Sequence, residues 1–308
     1  MYPCSNPELV AAVSAAGGIG IVQPISLTYV HGWDYREGLR HIARLTDRPI
    51  GFNALIEQSS RIYRARMERW LDIALEEGIR FVITSLGNPR WVVERVHAVG
   101  GKVYHDVTER RWALKARDGD VDGLIGVNRR AGGHPGPRTA EELLHELGDL
   151  GLPVVCAGGI AAPREFAAAI AMGYAGAQLG TRFIATTECT ASPGYKQAIL
   201  DAGENDIVWS ERLTGVPVAV IRTPFIERMG TRAGPLARRL LRGRRTKHWM
   251  RAFYALRSLR SLRRSAGSDH GDEAYWQAGK SVASVSTILP AGDIVREFAR
   301  ALHDGSAP

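Results

Sequence analysis

Short apolar runs alternate along the first 200 residues with longer segments whose apolar residues recur at helical spacing. The apolar runs predict strands at residues 19–23, 49–55, 81–85, 102–107, 123–128, 153–157 and 175–181. The segments with helical spacing predict helices at residues 7–16, 35–45, 61–77, 89–99, 109–117, 139–150 and 163–172. Because helices separate the successive strands, the pattern predicts a parallel sheet with crossover helices.

The number of predicted strands limits the fold class. A closed (β/α)8 barrel needs eight strands, and the pattern supplies seven after the first helix. We therefore predict an α/β fold, a TIM (β/α)8 barrel that lacks its first strand, with an open, doubly wound sheet as the competing architecture. The predicted domains are the barrel at residues 1–204, a helical, basic insertion or lid at 205–275, and a C-terminal return to the barrel at 276–308.

A glycine-rich stretch, Gly17, Gly18 and Gly20, separates the first predicted helix from the first predicted strand. A dinucleotide-binding loop follows a strand and opens a helix, whereas this stretch follows a helix and opens a strand. We therefore interpret it as a helix-to-strand connection.

The formal net charge of +8 comes from one segment of the chain. Thirteen of the 40 Lys and Arg residues, and no acidic residue, lie between Arg228 and Arg264, which leaves 27 basic and 32 acidic residues elsewhere. Trp249, Phe253 and Leu256 lie within this segment at three- or four-residue spacing, which predicts an amphipathic basic helix. Such a helix could cover the barrel mouth, contact an anionic CoA or carrier-protein substrate, or lie on anionic lipid. Because the rest of the chain is acidic, no nucleic-acid partner is expected.

The cysteines and the apolar N-terminal region indicate the cellular compartment. Cys4, Cys156 and Cys189 are far apart and form no CxxC pair, which favours a reduced, cytoplasmic protein without a structural metal. Residues 9–33 contain no Asp, Glu, Lys or Arg. Their glycines, Gln23 and Pro24 argue against a transmembrane helix, and no basic region of a signal peptide precedes them.

His134 lies in a glycine-rich loop, AGGHPG at residues 131–136, directly after the predicted strand 123–128. Glycines let the backbone approach a ligand closely, and Gly133 is a candidate cofactor contact for that reason. Imidazole is the side chain best suited to moving a proton near neutral pH. His134 is therefore the candidate catalytic residue, with a structural hydrogen-bonding role as the alternative.

Two more glycine segments follow the next two predicted strands. Gly158 and Gly159 come at the end of the strand 153–157, and Gly180 and Thr181 come at the end of the strand 175–181. Adjacent strand ends of this kind form phosphate sites in barrels, because free backbone N–H groups and a helix dipole both favour an anion. A barrel with such a site commonly holds FMN, so the pattern favours this cofactor.

Asn53 adds a candidate contact for the flavin ring. It lies near the exit of the predicted strand 49–55, and its amide offers both a donor and an acceptor to the edge of a flavin. A capping role for the next helix, or a bond to its own backbone, fits the residue equally well.

Together these segments resemble the nitronate monooxygenase family, formerly called 2-nitropropane dioxygenases, whose relatives include FMN-dependent enoyl and quinone reductases. The resemblance covers roughly residues 1–200 and is weaker at 276–280. It implies a TIM barrel that binds FMN, with Asn53 at the flavin ring and His134 as the catalytic histidine. The residues that it implies around the phosphate are Gly159, Gln178, Leu179, Gly180 and Thr181.

The chain departs from the family pattern near the C-terminus, and the resemblance also bears on the missing strand. Many relatives have Ala-Gly-Gln near the C-terminus where this chain has Lys280 as the third residue. A lysine at the flavin edge could stabilise an anionic reduced flavin, and a plain surface charge is the alternative. The family usually opens with a strand that ends in Pro-Met, and Met1 resembles that methionine, which predicts that the missing strand lies upstream of it.

The leading functional hypothesis is an FMN-dependent oxidoreductase that oxidises alkyl nitronates with O2, with His134 as catalytic base or orienting group. One alternative is an NAD(P)H-dependent FMN reductase that acts on a quinone, an enoyl thioester or another activated alkene. A second alternative is a non-catalytic binding protein derived from this barrel. A homodimer is one expected assembly.

Overall fold

The structure, a computed structural model, describes residues 3–57, 61–213, 215–232 and 275–304. Its main sheet has seven parallel strands that pair in chain order. They are β1 (Ile21–Val22), β2 (Gly51–Leu55), β3 (Phe81–Ser85), β4 (Lys102–Val107), β5 (Gly123–Val127), β6 (Val154–Ala157) and β7 (Gly176–Gln178). A doubly wound sheet reverses its strand order near the middle, whereas this order never reverses. The prediction of a TIM-barrel fold is therefore confirmed.

Helices connect the strands and cover the outside of the sheet. They are α1 (Pro7–Ala15), α2 (Tyr35–Leu45), α3 (Arg61–Glu76), α4 (Arg90–His97), α5 (Arg110–Arg117), α6 (Ala140–Leu147) and α7 (Pro163–Met172). Local chemistry sets several helix starts: the Asp34 carboxylate accepts from the N–H groups of the first turn of α2, and Thr139 forms a capping box with Glu142 in α6. These bounds lie within three residues of the predicted ones, so the prediction of these seven helices is confirmed.

Two sets of side chains fill the two sides of the sheet. Residues such as Phe52, Val103 and Leu124 point outward and are buried against the helices in the largest apolar cluster. Their neighbours along the strands point inward, where Ile83, Ile125 and Ala157 form a separate cluster inside the curled sheet. Within the described ranges no ladder joins β7 to β1, so the barrel is open along that seam.

The chain after β7 continues with α8 (Thr181–Ile184) and α9 (Pro193–Asp201), then an antiparallel hairpin of β8 (Ile207–Ser210) and β9 (Val218–Ile221), and α10 (Pro224–Met229). The helical prediction for residues 205–275 did not include this hairpin. Its strands are rich in Val and Ile, which favour a pleated, half-buried surface. The domain boundaries at 204 and 275 stay predictions, and the basic helix predicted between Arg228 and Arg264 lies largely outside the described residues.

The C-terminal helix α11 (Ala291–Asp304) completes the ring of helices. It packs between α7 and α1, and the rings of Phe166 and Phe298 lie with their centroids 5.5 Å apart. The return of the C-terminal region to the barrel therefore places α11 over the open seam between β7 and β1. Among the described helices, none is both long enough and apolar enough to cross a membrane.

The connection between α1 and β1 depends on a backbone contact at Gly20. Its N–H donates to Ser14 Oγ at 2.9 Å, and a Cβ at this position would overlap the carbonyl oxygen of Val10. The interpretation of this stretch as a helix-to-strand connection is confirmed, because α1 precedes it and β1 follows it.

We expect Gly20→Ala to lower the free energy of unfolding by about 2 kcal/mol or more, because the added methyl group must push two backbone segments apart. Gly148→Ala is the matched control, since Gly148 has helical backbone angles and open space around its Cα. The control should be neutral or stabilising by up to roughly 1 kcal/mol. Urea unfolding of both variants measures the difference, and equal stability of Gly20→Ala and wild type would contradict the packing argument.

Candidate active site at the carboxyl ends of the strands

The loop that carries His134 is folded tightly onto the end of β5. The N–H of Arg129 donates to the carbonyl oxygen of Arg138 at 2.7 Å, which closes the loop at its base. A Cβ at Gly136 would overlap the carbonyl oxygen of Val127, and Gly133 has a φ of +71°. Both positions therefore require glycine, one for space and the other for its backbone conformation.

Asn128 joins this loop to the neighbouring glycine segment. Its side chain is buried, its Nδ2 donates to the carbonyl oxygen of Gly158 at 2.9 Å, and its Oδ1 accepts from the N–H of Arg130 at 2.8 Å. One amide thus satisfies a backbone acceptor after β6 and a backbone donor after β5. This side chain therefore ties the two loops together.

The far side of the loop is held by segments from the C-terminal third of the chain. The N–H of Ala219 in β9 donates to the carbonyl oxygen of Gly133 at 2.7 Å. Gly132 and Gly279 pack backbone to backbone, because a Cβ at Gly279 would lie 2.6 Å from the Gly132 nitrogen. The His134 loop therefore lies between the glycine segment after β6 and the returning C-terminal chain.

His134 itself is solvent-accessible although protein atoms surround it on several sides. This partial burial lowers the pKa of His134 below its ordinary value, because the surrounding protein disfavours the charged imidazolium. The ring is therefore neutral at physiological pH and can accept a proton. Among the residues that the structure describes, no side chain forms a hydrogen bond with it.

The two later glycine segments lie side by side. Ala157 at the end of β6 pairs with Gln178 at the end of β7, so Gly159 and Gly180 follow at neighbouring strand ends. Within the described ranges, the N–H groups of these two glycines donate to no backbone acceptor. Gly159 has a φ of +80°. Free N–H groups on adjacent loops can hold an anion, as the sequence pattern predicts.

We refer to Gly158, Gly159 and Gly180 as the glycine cradle. Thr181 and Lys280 connect it to the C-terminal part of the chain. The N–H of Gly279 donates to Thr181 Oγ1 at 2.9 Å. The Lys280 ammonium lies 3.3 Å from a carboxylate oxygen of Glu204, and Arg130 Nη1 lies 2.8 Å from both oxygens of that carboxylate. The structure thus places Lys280 beside the cradle, in an ion-pair cluster at its rim, and a role at the flavin edge stays a prediction.

Three polar side chains point from the strands into the barrel. Asn53, Asp106 and Gln178 share the inward-facing positions, because Phe52, Val107 and Ala177 next to them pack outward. The Oδ1 of Asp106 and the Oε1 of Gln178 are fully buried and accept no hydrogen bond from the part of the chain that the structure describes. Burial raises the pKa of Asp106 from 3.8 to about 7, although a hydrogen bond from Gln178 works in the opposite direction.

The structure therefore brings together most of the sequence-predicted site. The residues at the carboxyl ends of β5, β6 and β7 or just behind them are His134, Gly133, Gly158, Gly159, Gln178, Leu179, Gly180 and Thr181. Asn53 lies on β2 and shares the interior with them. Their assignment to a cofactor stays a prediction. Sequence reasoning missed Asn128, Arg130 and Asp106, although the alternation of β4 already marked Asp106 as an inward-facing polar residue.

The parallel barrel, with its histidine loop and glycine cradle at the carboxyl edge, defines an enzyme of the TIM-barrel class. The family model described as nitronate monooxygenase matches residues 1–300, and the chain belongs to this family. The protein is accordingly an oxidoreductase, as the resemblance implied.

Individual relatives cover nearly the whole chain. The (3aS,4S,5R,7aS)-5-hydroxy-7a-methyl-1-oxo-octahydro-1H-indene-4-carboxyl-CoA dehydrogenase of Mycobacterium tuberculosis is 27% identical over 94% of this chain and 79% of the relative. The nitronate monooxygenase of Paraburkholderia phytofirmans is 25% identical over 98% of this chain and 90% of the relative.

Solved structures show the same fold. FabK from Thermotoga maritima has a TM-score of 0.80 and 27% identity, and the match covers 99% of this chain and 91% of that structure. The nitroalkane oxidase from Streptomyces ansochromogenes has a TM-score of 0.79 and 23% identity, with 99% and 94% covered. At that identity, the second match shows the fold alone.

We expect Asn128→Ala to lower the free energy of unfolding by roughly 2–4 kcal/mol, because two backbone groups lose their partners. Asn128→Asp should also be destabilising, because its second oxygen would face the carbonyl oxygen of Gly158 in a buried position. Asn88→Ala is the control: its Oδ1 also accepts a backbone N–H, but on an exposed turn. Thermal unfolding ranks the three variants. A control as destabilised as Asn128→Ala would show that the Asn128 clamp, meaning its hydrogen bonds to Gly158 and Arg130, has no special role.

The raised pKa of Asp106 predicts a pH-dependent penalty. The folded protein holds this proton between pH 4 and pH 7 while the unfolded chain releases it, so the contribution of Asp106 to stability falls as pH rises through that window. Asp106→Asn should therefore gain stability over wild type as pH rises from 4 to 7, with a constant gain above. Asp118→Asn, at an exposed position, should show no such trend in urea unfolding at pH 5 and pH 8.

Proposed function

We propose that the protein is an FMN-dependent oxidoreductase of the nitronate monooxygenase type, which oxidises alkyl nitronates with O2. The observation that carries the proposal is the accessible, neutral His134, held at the end of β5 beside the glycine cradle of β6 and β7. A neutral imidazole at this edge of a barrel can serve as a base or can orient an anionic substrate. The relatives named nitronate monooxygenase support the same reaction class.

The residues present fit FMN. Gly159 and Gly180 offer unpaired N–H groups to a phosphate at adjacent strand ends. Gly158 has a φ of +116°, and a Cβ there would lie 2.5 Å from Asn128 Oδ1. Glycine at this position therefore lets the loop pack closely against Asn128. Inside the barrel, Asn53 and Gln178 offer amides to a polar ring.

The protein's own groups supply binding and proton transfer. For a nitroalkane, the neutral His134 accepts the proton from the carbon next to the nitro group. For a nitronate, which has already lost that proton, the same ring donates a hydrogen bond to an oxygen of the substrate. FMN, when bound, supplies the electron-accepting ring and the reaction with O2. Asn128 and Gly133 keep the imidazole at a fixed position relative to the cradle.

A second candidate function is the reduction of an enoyl thioester such as a CoA ester, of a quinone or of another activated alkene, with NAD(P)H as the reductant of FMN. The specific observation in its favour is the relative from Mycobacterium tuberculosis whose name states a carboxyl-CoA dehydrogenase. The arginine-rich segment between Arg228 and Arg264 would suit the phosphates of a CoA substrate.

We also propose that the protein is located in the cytoplasm and forms a homodimer.

The visible absorption spectrum of the purified protein tests the cofactor. A flavin band that NADPH leaves unchanged without O2, but that propionate 3-nitronate bleaches, would support the nitronate monooxygenase. Bleaching by NADPH would favour the second candidate. Absence of a flavin band after addition of FMN would overturn both.

We expect His134→Asn to reduce nitroalkane turnover by roughly 10²- to 10⁴-fold, because proton abstraction loses its base. Turnover of a preformed nitronate should fall less, since no proton is removed there. His145→Asn, a surface histidine on α6, is the control and should keep wild-type rates. Equal losses on both substrates would show that His134 orients the substrate and does not act as base.

Because burial lowers the pKa of His134, the acid limb of nitroalkane kcat/KM should lie below pH 6.5, the ordinary midpoint of a histidine. Activity falls as pH drops through that limb, since protonation removes the base. A pH profile from 5 to 8 measures it. A midpoint above 6.5 would contradict the assignment.

A further inference from the structure

Asp106 and Gln178 approach each other across the barrel interior. Asp106 lies on β4 and Gln178 on β7, with β5 and β6 between them in the curled sheet. Their side chains nevertheless lie close enough to interact, because Gln178 lowers the pKa of the Asp106 carboxyl group against the effect of burial. The pair therefore spans the barrel at the level where the strands end.

Both residues keep one oxygen without a donor. Asp106 Oδ1 and Gln178 Oε1 are buried and accept no hydrogen bond within the described residues. The other inward-facing side chains around them are largely apolar, with Ile83, Ile125 and Val127 among them. Buried acceptors left open in this way cost free energy, so they indicate a ligand or water that donates to them.

We propose that Asp106 and Gln178 form an acceptor pair that receives the N3–H donor of the flavin pyrimidine ring, and that the Asp106 carboxyl group weakens binding of reduced FMN relative to oxidised FMN. This inference rests on the proposed function, because it requires FMN in the barrel mouth. It also gives the Gln178 side chain a different role from the phosphate contact that the family resemblance implies.

The two open acceptors favour the pyrimidine edge of the flavin as the part of the cofactor that binds them. A flavin presents one N–H donor between two carbonyl groups at its pyrimidine edge, and an acceptor pair is complementary to a donor. Two-electron reduction adds negative charge to the ring system. Above its pKa of about 7, Asp106 is a carboxylate that repels the added charge, and low-dielectric surroundings strengthen the repulsion.

The first test is a binding cycle with FMN and 3-methyl-FMN, in which the N3–H donor is replaced. Dissociation constants come from quenching of flavin fluorescence in flavin-free protein. Methylation should weaken binding to wild type about tenfold or more. In Gln178→Leu combined with Asp106→Leu it should change binding less than about twofold, because the acceptors are gone.

The second test uses Asp106→Asn, which keeps the shape of the side chain and removes its charge. At pH 8, where the wild-type carboxyl group is charged, the ratio of oxidised to reduced FMN affinity should fall about tenfold in the variant, which corresponds to an increase of about 30 mV in the two-electron midpoint potential. Asp118→Asn, on the exposed end of α5, should leave the potential unchanged.

The outcomes separate this inference from the proposed function. If wild type binds no FMN, the proposed function fails. If FMN binds but methylation weakens wild type and the double variant equally, the open acceptors hold only water and the inference is wrong. An unchanged potential in Asp106→Asn overturns the electrostatic part. Should the double variant fail to fold, slow solvent exchange of the N3 proton in 15N-labelled FMN bound to wild type tests the contact directly, and fast exchange contradicts it.

Discussion

The alternation of side chains along seven parallel strands is the constraint on which the rest of the structure depends. Outward positions are mostly apolar, because they pack against helices, and the buried polar pair Thr84 and His105 among them is satisfied by a mutual hydrogen bond. Inward positions are the places on the sheet from which polar side chains can face a ligand in the barrel. Asn53, Asp106 and Gln178 occupy such positions near the carboxyl ends of their strands, and the loops that follow add His134 at the same edge.

The position of His134 is fixed by backbone contacts from both ends of the chain. Asn128 holds the loop to the segment after β6, while β9 and the close approach of Gly132 to Gly279 hold the opposite side. Residues 132 and 279 must both be glycine, because a side chain at either position would force the two segments apart. The C-terminal return is therefore part of the site and not a separate appendage.

Electrostatics divides the site into a centre where burial disfavours charge and a charged rim. Burial disfavours charge on His134 and Asp106, which lowers the pKa of the first and raises the pKa of the second. At the rim, Arg130 and Lys280 share the Glu204 carboxylate and lie near solvent. A neutral imidazole at the centre and cations at the rim are compatible with the proposed flavin chemistry.

The sequence by itself determined the barrel and the order of its parts, because period-2 and period-3.6 apolar patterns are local properties of the chain. It also located the glycine loops and His134, since residue types that bring the backbone close to a ligand follow directly after the strands. The tertiary structure alone decided which distant groups meet: the Asn128 clamp, the pairing of β9 with Gly133, and the contact of Asp106 with Gln178 across the barrel. These contacts join residues that are far apart in sequence, and nothing in a local pattern encodes which strand ends a curled sheet brings face to face.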